Sequence, residues 1–414
     1  MAAADRLLVI GGGQAGYQTC ASLRAEGYEG AIILASEEPE PPYQRPPLSK
    51  GYLTGEQGPD DLPFRGNTFY EDQRIDLRLG DPVMALDLRA KRATTKAGHG
   101  LDFDRLVLAT GASPKLPPIE GHDLDGVMTL RTHADAQDLK ARLADGGSLA
   151  VIGGGFIGLE VAAAAVKLGC KVSVIEMQDR VMGRVTAPVV GQYFQDLHAR
   201  MGVDLRLQSG VARILSSDGR AAGLELSDGS RIKASVIVVG IGVTPCEALA
   251  AAAGLDCQDG ILVDATLTAG HPEVFAIGDC ARFPSPYAEG RVRLESVQNA
   301  ADQAKAIARA VVGTPEDYTA VPWFWTQQFG KRLQMAGLSQ GYDAVAVRGS
   351  LEADKFSAFY YRGGRLAAVD SLDSPADHIA ARMMIAEGLT PSPEIVGDQS
   401  IRLKDWAKTA LETA

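Results

Sequence analysis

Apolar residues in this chain fall first into short unbroken runs. RLLVI at 6–10 and AIILA at 31–35 end at glycines or polar turns. Runs of that length without alternation predict strands buried on both faces, as in a parallel sheet. Between them, residues 15–26 read as a helix that stops at Gly27. Strand, turn, helix and strand make a βαβ unit. The same order returns with a strand at 149–152, an alanine-rich helix at 158–168 closed by Gly169, and a strand at 172–175. Each unit is followed by a similar closing strand and turn, LVLATGASP at 106–114 and VIVVGIGVTP at 236–245. The prediction is two nucleotide-binding folds in series. Proline-rich KLPPIEG at 115–121 lies between them. After Trp323 the pattern changes: DAVAVRGS and FSAFYYRGGRLAAVDSL predict antiparallel strands, with Gly363-Gly364 as a hairpin turn and a helix at 377–387. The expected architecture is α/β, with two Rossmann-like domains and a small C-terminal α+β domain capped by the helix in IRLKDWAKTALETA.

The turns of the two units carry chemistry. The first is Gly11-x-Gly13-x-x-Gly16 and the second Gly153-x-Gly155-x-x-Gly158. Such glycines let the backbone approach a pyrophosphate, whose charge the helix N-terminus then stabilises. An acid about 20 residues on accepts from ribose hydroxyls, and Glu37 and Glu176 stand at those places. One fingerprint is weak evidence; two, each between a strand and a helix and each with its acid, predict two bound dinucleotides. The simplest protein of that kind is a flavoprotein that takes hydride from a nicotinamide. Glu176 favours NADH, because a carboxylate there repels a 2′-phosphate. Arg180 and Arg184 nearby are either phosphate ligands or surface charges.

Composition narrows the classes. The chain has 414 residues and a net charge of −11, which argues against nucleic acid as the main partner. The five cysteines, Cys20, Cys170, Cys246, Cys257 and Cys280, form no Cys-x-x-Cys pair. They predict a cytoplasmic protein with reduced thiols and no metal site. No apolar run reaches membrane-spanning length, and MAAADRLLVIGGG lacks the pattern of a signal peptide.

Several stretches are more specific: PYQRPPLSKGYL (42–53), VIGGGFIGLEVAA, RVTAP, EVFAIGDCARF (273–283), RLESVQNAADQA (293–304) and PWFW (322–325). With these the chain resembles, over nearly its whole length, the FAD-containing NADH:ferredoxin reductases of bacterial oxygenase systems, of the putidaredoxin reductase-like kind. The resemblance implies a glutathione-reductase-like fold. FAD would be held by 1–115 and 244–325, NAD by 116–243, and 326–414 would form the C-terminal domain. It implies FAD contacts at Ala15, Glu37, Arg45, Lys50, Val83, Ala109, Arg131, Asp279 and Val297, with Trp325 packed near the flavin. NAD contacts would come from Ile157, Glu160, Arg184 and Gly242 beside the second fingerprint. Lys50 and Glu160 would form an ion pair at the reactive edge of the flavin. From the residues alone, Asp279 could equally be a helix N-cap, Lys50 a solvated loop lysine, Trp325 core packing, and Glu160 an acid placed in a first helical turn for the helix dipole.

No cysteine lies in the segment 37–53, where related disulfide reductases and peroxidases carry a flavin-side thiol. Electrons are therefore expected to leave by outer-sphere transfer or to go to a small diffusible acceptor, and the resemblance implies a two-iron ferredoxin that feeds a haem monooxygenase or ring-hydroxylating dioxygenase. Rubredoxin is the close alternative. An NADH oxidase or quinone reductase, or an NADH-responsive dimer switch like the apoptosis-inducing-factor flavoproteins, are the other classes. A monomer or weak homodimer is expected, and Lys331-Arg332 is either a partner-steering pair or a solvated one.

Overall fold

In the computed structural model, which describes residues 5–413, strand Arg6–Ile10 lies at the centre of a five-stranded sheet. The order is 274–276, 105–108, 6–10, 31–36, 75–79, and every pairing is parallel. Leu7, Leu8 and Val9 stand opposite Ile32, Ile33 and Leu34 on one side and Arg105, Leu106 and Val107 on the other. Helices Gln14–Ala25 and Val297–Val311 pack against each other. The central strand is thus shut off from water, as its unbroken apolar run requires.

The second βαβ unit builds the same arrangement in the order 127–128, 236–239, 148–152, 171–175, 204–206, again all parallel. The C-terminal segment forms a five-stranded antiparallel sheet in the order 323–328, 331–337, 365–372, 355–362, 344–350. Helix Pro375–Ala386 follows it, and helix Leu403–Thr413 closes the chain's described part.

These parts divide into two compact units. One is made of the chain up to Arg45, Pro59–Ser113 and Val243–Ala320; the other of Pro46–Gly58, Pro114–Gly242 and Val321 onward. The short segment Pro46–Gly58 belongs to the second unit because Leu53 is buried there, in one cluster with Leu139, Leu159, Phe194 and Phe356. Leu333, Tyr360 and Leu372 of the antiparallel sheet belong to the same cluster. Among the described residues no helix is long and apolar enough to cross a membrane.

Two local expectations change. The second fingerprint helix runs Phe156–Lys167, because Gly155 is its N-cap. Glu160 is therefore in the second turn and does not serve the helix dipole. Asp279 lies within a 3-10 turn, Gly278–Cys280, that is followed by strand Ala281–Pro284. The N-cap of that turn is Ile277 and no α-helix follows it, so Asp279 is not an N-cap.

Three buried titratable groups in the second unit make stability depend on pH. Burial lowers His198 and His378 from 6.5 to about 4. The unfolded chain takes up these protons near pH 6.5, the folded chain only near pH 4. Their contribution is complete above pH 6.5 and is lost as pH falls toward 4, at roughly 3 kcal/mol per histidine. Asp370, buried and hydrogen-bonded by Tyr360, is raised from 3.8 to about 7, with burial as the main cause. It acts in the opposite sense, losing stability as pH rises from 3.8 to 7. Two histidines against one aspartate make stability rise from pH 4.5 to 6.5. Thermal melts across that window should show the rise, steeper in Asp370→Asn and shallower in His198→Gln. A flat wild-type profile would contradict it.

Candidate active site

In the first unit the turn after strand Arg6–Ile10 is a built cradle. Gly11 has φ +120°, and a Cβ there would lie 2.1 Å from the Ala109 carbonyl oxygen. At Gly16 it would lie 1.9 Å from the Gly11 carbonyl oxygen. Both close approaches draw the helix N-terminus onto the strand ends. Gly13 differs: it is the helix N-cap, makes no side-chain cap bond, and a Cβ there would meet nothing within 4 Å. No side chain caps the helix and the space beside its N-cap is open, which is the room a pyrophosphate needs at a helix N-terminus. The residues present fit FAD in this respect.

The same unit places other expected residues. Glu37 is exposed directly after strand Ala31–Ser36. A Cβ on Gly278, φ +74°, would be 3.2 Å from the Cβ of Ala15, so the turn carrying Asp279 sits against the start of the fingerprint helix. Arg45 pairs with Glu38 at 2.5 Å. Val83 is half-buried on strand Val83–Asp87, and Val297 opens helix Val297–Val311 behind the N-cap Ser296.

The second cradle repeats the geometry in the second unit. Gly153 has φ +107° with a Cβ position 2.5 Å from the Gly240 carbonyl oxygen, and that of Gly158 is 2.2 Å from the Gly153 carbonyl oxygen. The Glu176 carboxylate accepts from the amides of Gly154 at 2.7 Å and Gln178 at 2.8 Å. It is thereby fixed at the mouth of the cradle, where ribose hydroxyls are read. Ile157 is 45% exposed, so an apolar side chain faces outward from the first helical turn. Gly242, φ +107°, has open space at its Cβ position. Arg184 is exposed, whereas Arg180 is drawn back into its own loop by a 2.9 Å bond to the Gly183 carbonyl.

Lys50 and Glu160, 110 residues apart in sequence, meet in this unit. The Lys50 Nζ donates to Glu160 Oε2 at 2.6 Å. Ser49 donates to the same oxygen at 2.6 Å, and Thr326 donates to Oε1 at 2.7 Å. Glu160 is buried. Two hydroxyl donors and one cation supply what a buried carboxylate needs. Lys50 also donates to the Pro46 carbonyl at 3.2 Å and, more weakly, to Ser49 Oγ at 3.5 Å, which leaves its ammonium aimed by three partners. Sequence reasoning missed Ser49 and Thr326: Ser49 stands beside Lys50 inside PYQRPPLSKGYL, and Thr326 directly follows PWFW, yet neither hydroxyl was given a part. Trp325, half-buried on strand Trp323–Gln328, lies with its ring 5.6 Å from that of Trp323. Arg131 immediately precedes the capping box of helix His133–Leu143 and gives its amide to Asp135 at 3.0 Å.

Burial makes four of the thiols poor nucleophiles. Burial raises Cys20 to about 12 and pushes Cys170, Cys257 and Cys280 up as well. All five cysteines are free.

The family of pyridine nucleotide-disulphide oxidoreductases matches residues 5–304, and a reductase C-terminal family matches 323–407. The chain belongs to the first of these families and carries the second as its C-terminal part. This oxidoreductase is 46% identical over 398 residues to rhodocoxin reductase of Rhodococcus erythropolis, covering 96% of this chain and 93% of the relative. Its fold matches the crystal structure of the ferredoxin reductase for the CYP199A2 system of Rhodopseudomonas palustris, with TM-score 0.95, 40% identity, and 97% and 100% of the two chains covered. It matches the reductase in the covalent putidaredoxin reductase–putidaredoxin complex equally well, with TM-score 0.95, 38% identity and 99% of each chain covered. The oxidoreductase uses FAD and NAD(H), in keeping with its two cradles.

Proposed function

We propose that this chain takes electrons from NADH and passes them, through FAD and one at a time, to a two-iron ferredoxin serving a haem monooxygenase or ring-hydroxylating dioxygenase. The observation that carries the reading is the Lys50–Glu160 pair, in a chain with two dinucleotide cradles and no cysteine in the segment 37–53. Bound FAD supplies the redox chemistry, accepting electrons in a pair from NADH and releasing them singly. The chain supplies position and field. Gly11, Gly13 and Gly16 seat the FAD pyrophosphate, with Ala15 and Ala109 beside it, and Glu37 and Asp279 accept from its hydroxyls. Arg45, Val83, Arg131, Val297 and Trp325 complete its surroundings. Lys50 stabilises negative charge on the reduced ring, and Glu160 aims Lys50. Gly153, Gly155, Ile157, Gly158, Arg184 and Gly242 hold NADH. In this division FAD belongs to 1–115 and 244–325, NAD to 116–243, and 326–414 supports them. Relatives named for protein electron carriers support a small protein acceptor. Lys331 is committed to Asp354 at 2.8 Å, which disfavours it as a steering charge. Five free thiols suit a cytoplasmic protein.

Stopped-flow mixing of the FAD-loaded protein with NADH and NADPH, then with a two-iron ferredoxin, a rubredoxin or oxygen, tests the reading. Rapid reduction by NADH and rapid transfer to ferredoxin, with slow oxygen consumption, is expected. Transfer to oxygen or quinone alone would replace it with the oxidase class. Glu176 governs the choice of nicotinamide. Glu176→Gln removes the charge and keeps an acceptor for Gly154. The ratio of kcat/KM for NADH over NADPH should fall about tenfold, or ~1.4 kcal/mol. An unchanged ratio would remove Glu176 from that role.

A further inference from the structure

Behind the Lys50–Glu160 pair runs a buried line of hydrogen bonds with one direction. Thr326 Oγ1 donates to Glu160 Oε1 at 2.7 Å. Gln328 Nε2 reaches Thr326 Oγ1 at 3.2 Å. Gln328 Oε1 lies 2.8 Å from Nε2 of His198. Thr326, Gln328 and His198 are all buried. The protons can be placed by elimination. A carboxylate facing an ammonium only accepts, so the single Thr326 proton goes to Glu160. Thr326 then presents a lone pair to Gln328, which must turn its NH2 group that way. The Gln328 carbonyl oxygen is left to face His198, whose Nε2 must carry the hydrogen. His198 Nδ1 is consequently bare, and it is buried without a hydrogen-bond partner. Burial lowers His198 to about 4, which agrees with a neutral ring. The Phe329 ring stands edge-on to it at 4.9 Å.

The local sequence explains how one strand does this. In WFWTQQ, Thr326 and Gln328 are two apart and point to one face, while Trp325 and the exposed Gln327 point to the other. Helix Pro188–Arg200 brings His198 up behind Gln328. A plain packing role would be filled more simply by valine and leucine. Three polar side chains were instead buried with every shared proton aimed at one carboxylate.

We propose that Thr326, backed by Gln328 and His198, is a positioning residue that holds Glu160 in the orientation from which it aims Lys50, and so sets how readily the bound flavin is reduced. This rests on the role given to Lys50 under the proposed function. Thr326 touches neither substrate nor cofactor in this role; it acts through Glu160. Its hydroxyl fixes the carboxylate plane from the side opposite Ser49 and Lys50, which share the other oxygen.

The test uses FAD-loaded Thr326→Val and Thr326→Ser. Valine keeps the shape and removes the donor; serine keeps the donor. Three quantities are read: the saturating rate of flavin reduction by NADH, the NADH concentration at half-saturation, and the flavin midpoint potential. In Thr326→Val the saturating rate should fall about tenfold, the half-saturating NADH concentration should stay within about twofold, and the potential should become more negative. Thr326→Ser should restore all three. Wild-type rate and potential in Thr326→Val would overturn the proposal. Lys50→Met, measured alongside, separates the two levels. If it alters rate and potential while Thr326→Val does not, only this proposal fails. If neither variant alters them, the reading of Lys50 fails and this proposal with it. Should Thr326→Val not retain FAD, Gln328→Leu decides by the same readouts: a fall of about threefold supports the relay, and no change overturns it.

Discussion

Gly16→Ala is expected to purify colourless, with FAD occupancy below about a tenth of wild type. The added methyl would lie 1.9 Å from the Gly11 carbonyl oxygen, a backbone atom that cannot swing aside. Relief requires the helix Gln14–Ala25 to move off the strand end, and the amides of its first turn move with it. The helix also packs on Val297–Val311, so the displacement is resisted and stability falls too. Gly13→Ala is the informative companion. Its Cβ meets no protein atom within 4 Å, so the fold should be unaffected. The methyl would instead occupy the approach of the pyrophosphate. Flavin absorbance per protein and thermal melting separate the two: Gly16→Ala should lose both flavin and stability, Gly13→Ala flavin affinity alone. Stoichiometric flavin in Gly16→Ala would show that this turn does not hold FAD.

Lys50→Met should retain FAD and lower the rate of its reduction by NADH about a hundredfold. Removing the ammonium strips the cation that would stabilise the reduced ring. It also leaves Glu160 buried without a counter-charge, at a cost of about 3–5 kcal/mol in folding stability. The two effects can be pulled apart. In Lys50→Met with Glu160→Gln the lone buried charge is gone, so the melting temperature should recover most of its loss. The reduction rate should not recover, since no cation has been returned. Stopped-flow absorbance and thermal melts on the single and double variants give both numbers. Recovery of rate with stability would mean that Lys50 acts only as a structural partner of Glu160.

Much of the scaffold was legible because it is written locally. The runs RLLVI and AIILA, the glycine turns and the stop glycines are decisions made within a few residues, and the strands and helices fall within two residues of the expected bounds. Family resemblance supplied the pairing of Lys50 with Glu160, and their 2.6 Å contact agrees with it. The remainder depends on contacts between distant residues. Nothing in WFWTQQ announces that its Thr326 will meet Glu160, 166 residues away, or that Gln328 will meet His198, 130 residues away. Alternation told which strand residues share a face, not what that face would touch. The Arg45–Glu38 ion pair is of the same kind, since nothing in the sequence joins those two residues. The helix carrying Glu160 starts two residues earlier than the pattern suggests because a glycine at 155 can be either a fingerprint residue or an N-cap, and it is both.

The interleaving of the two units along the chain has a consequence for biosynthesis. A nascent polypeptide of about 240 residues already contains both fingerprints but can finish neither unit. The first still lacks its edge strand Val274–Ala276, the Asp279 turn and helix Val297–Val311. The second still lacks Leu333, Phe356 and Leu372 from its core. On the ribosome the first unit's sheet must therefore wait for an edge strand and a helix made long after its other four strands, and the second unit's core for residues of the C-terminal sheet. The first unit has all its parts once Ala320 has been made, whereas the second must wait for the segment from Val321 onward, so the half that starts first is also the half that can close first.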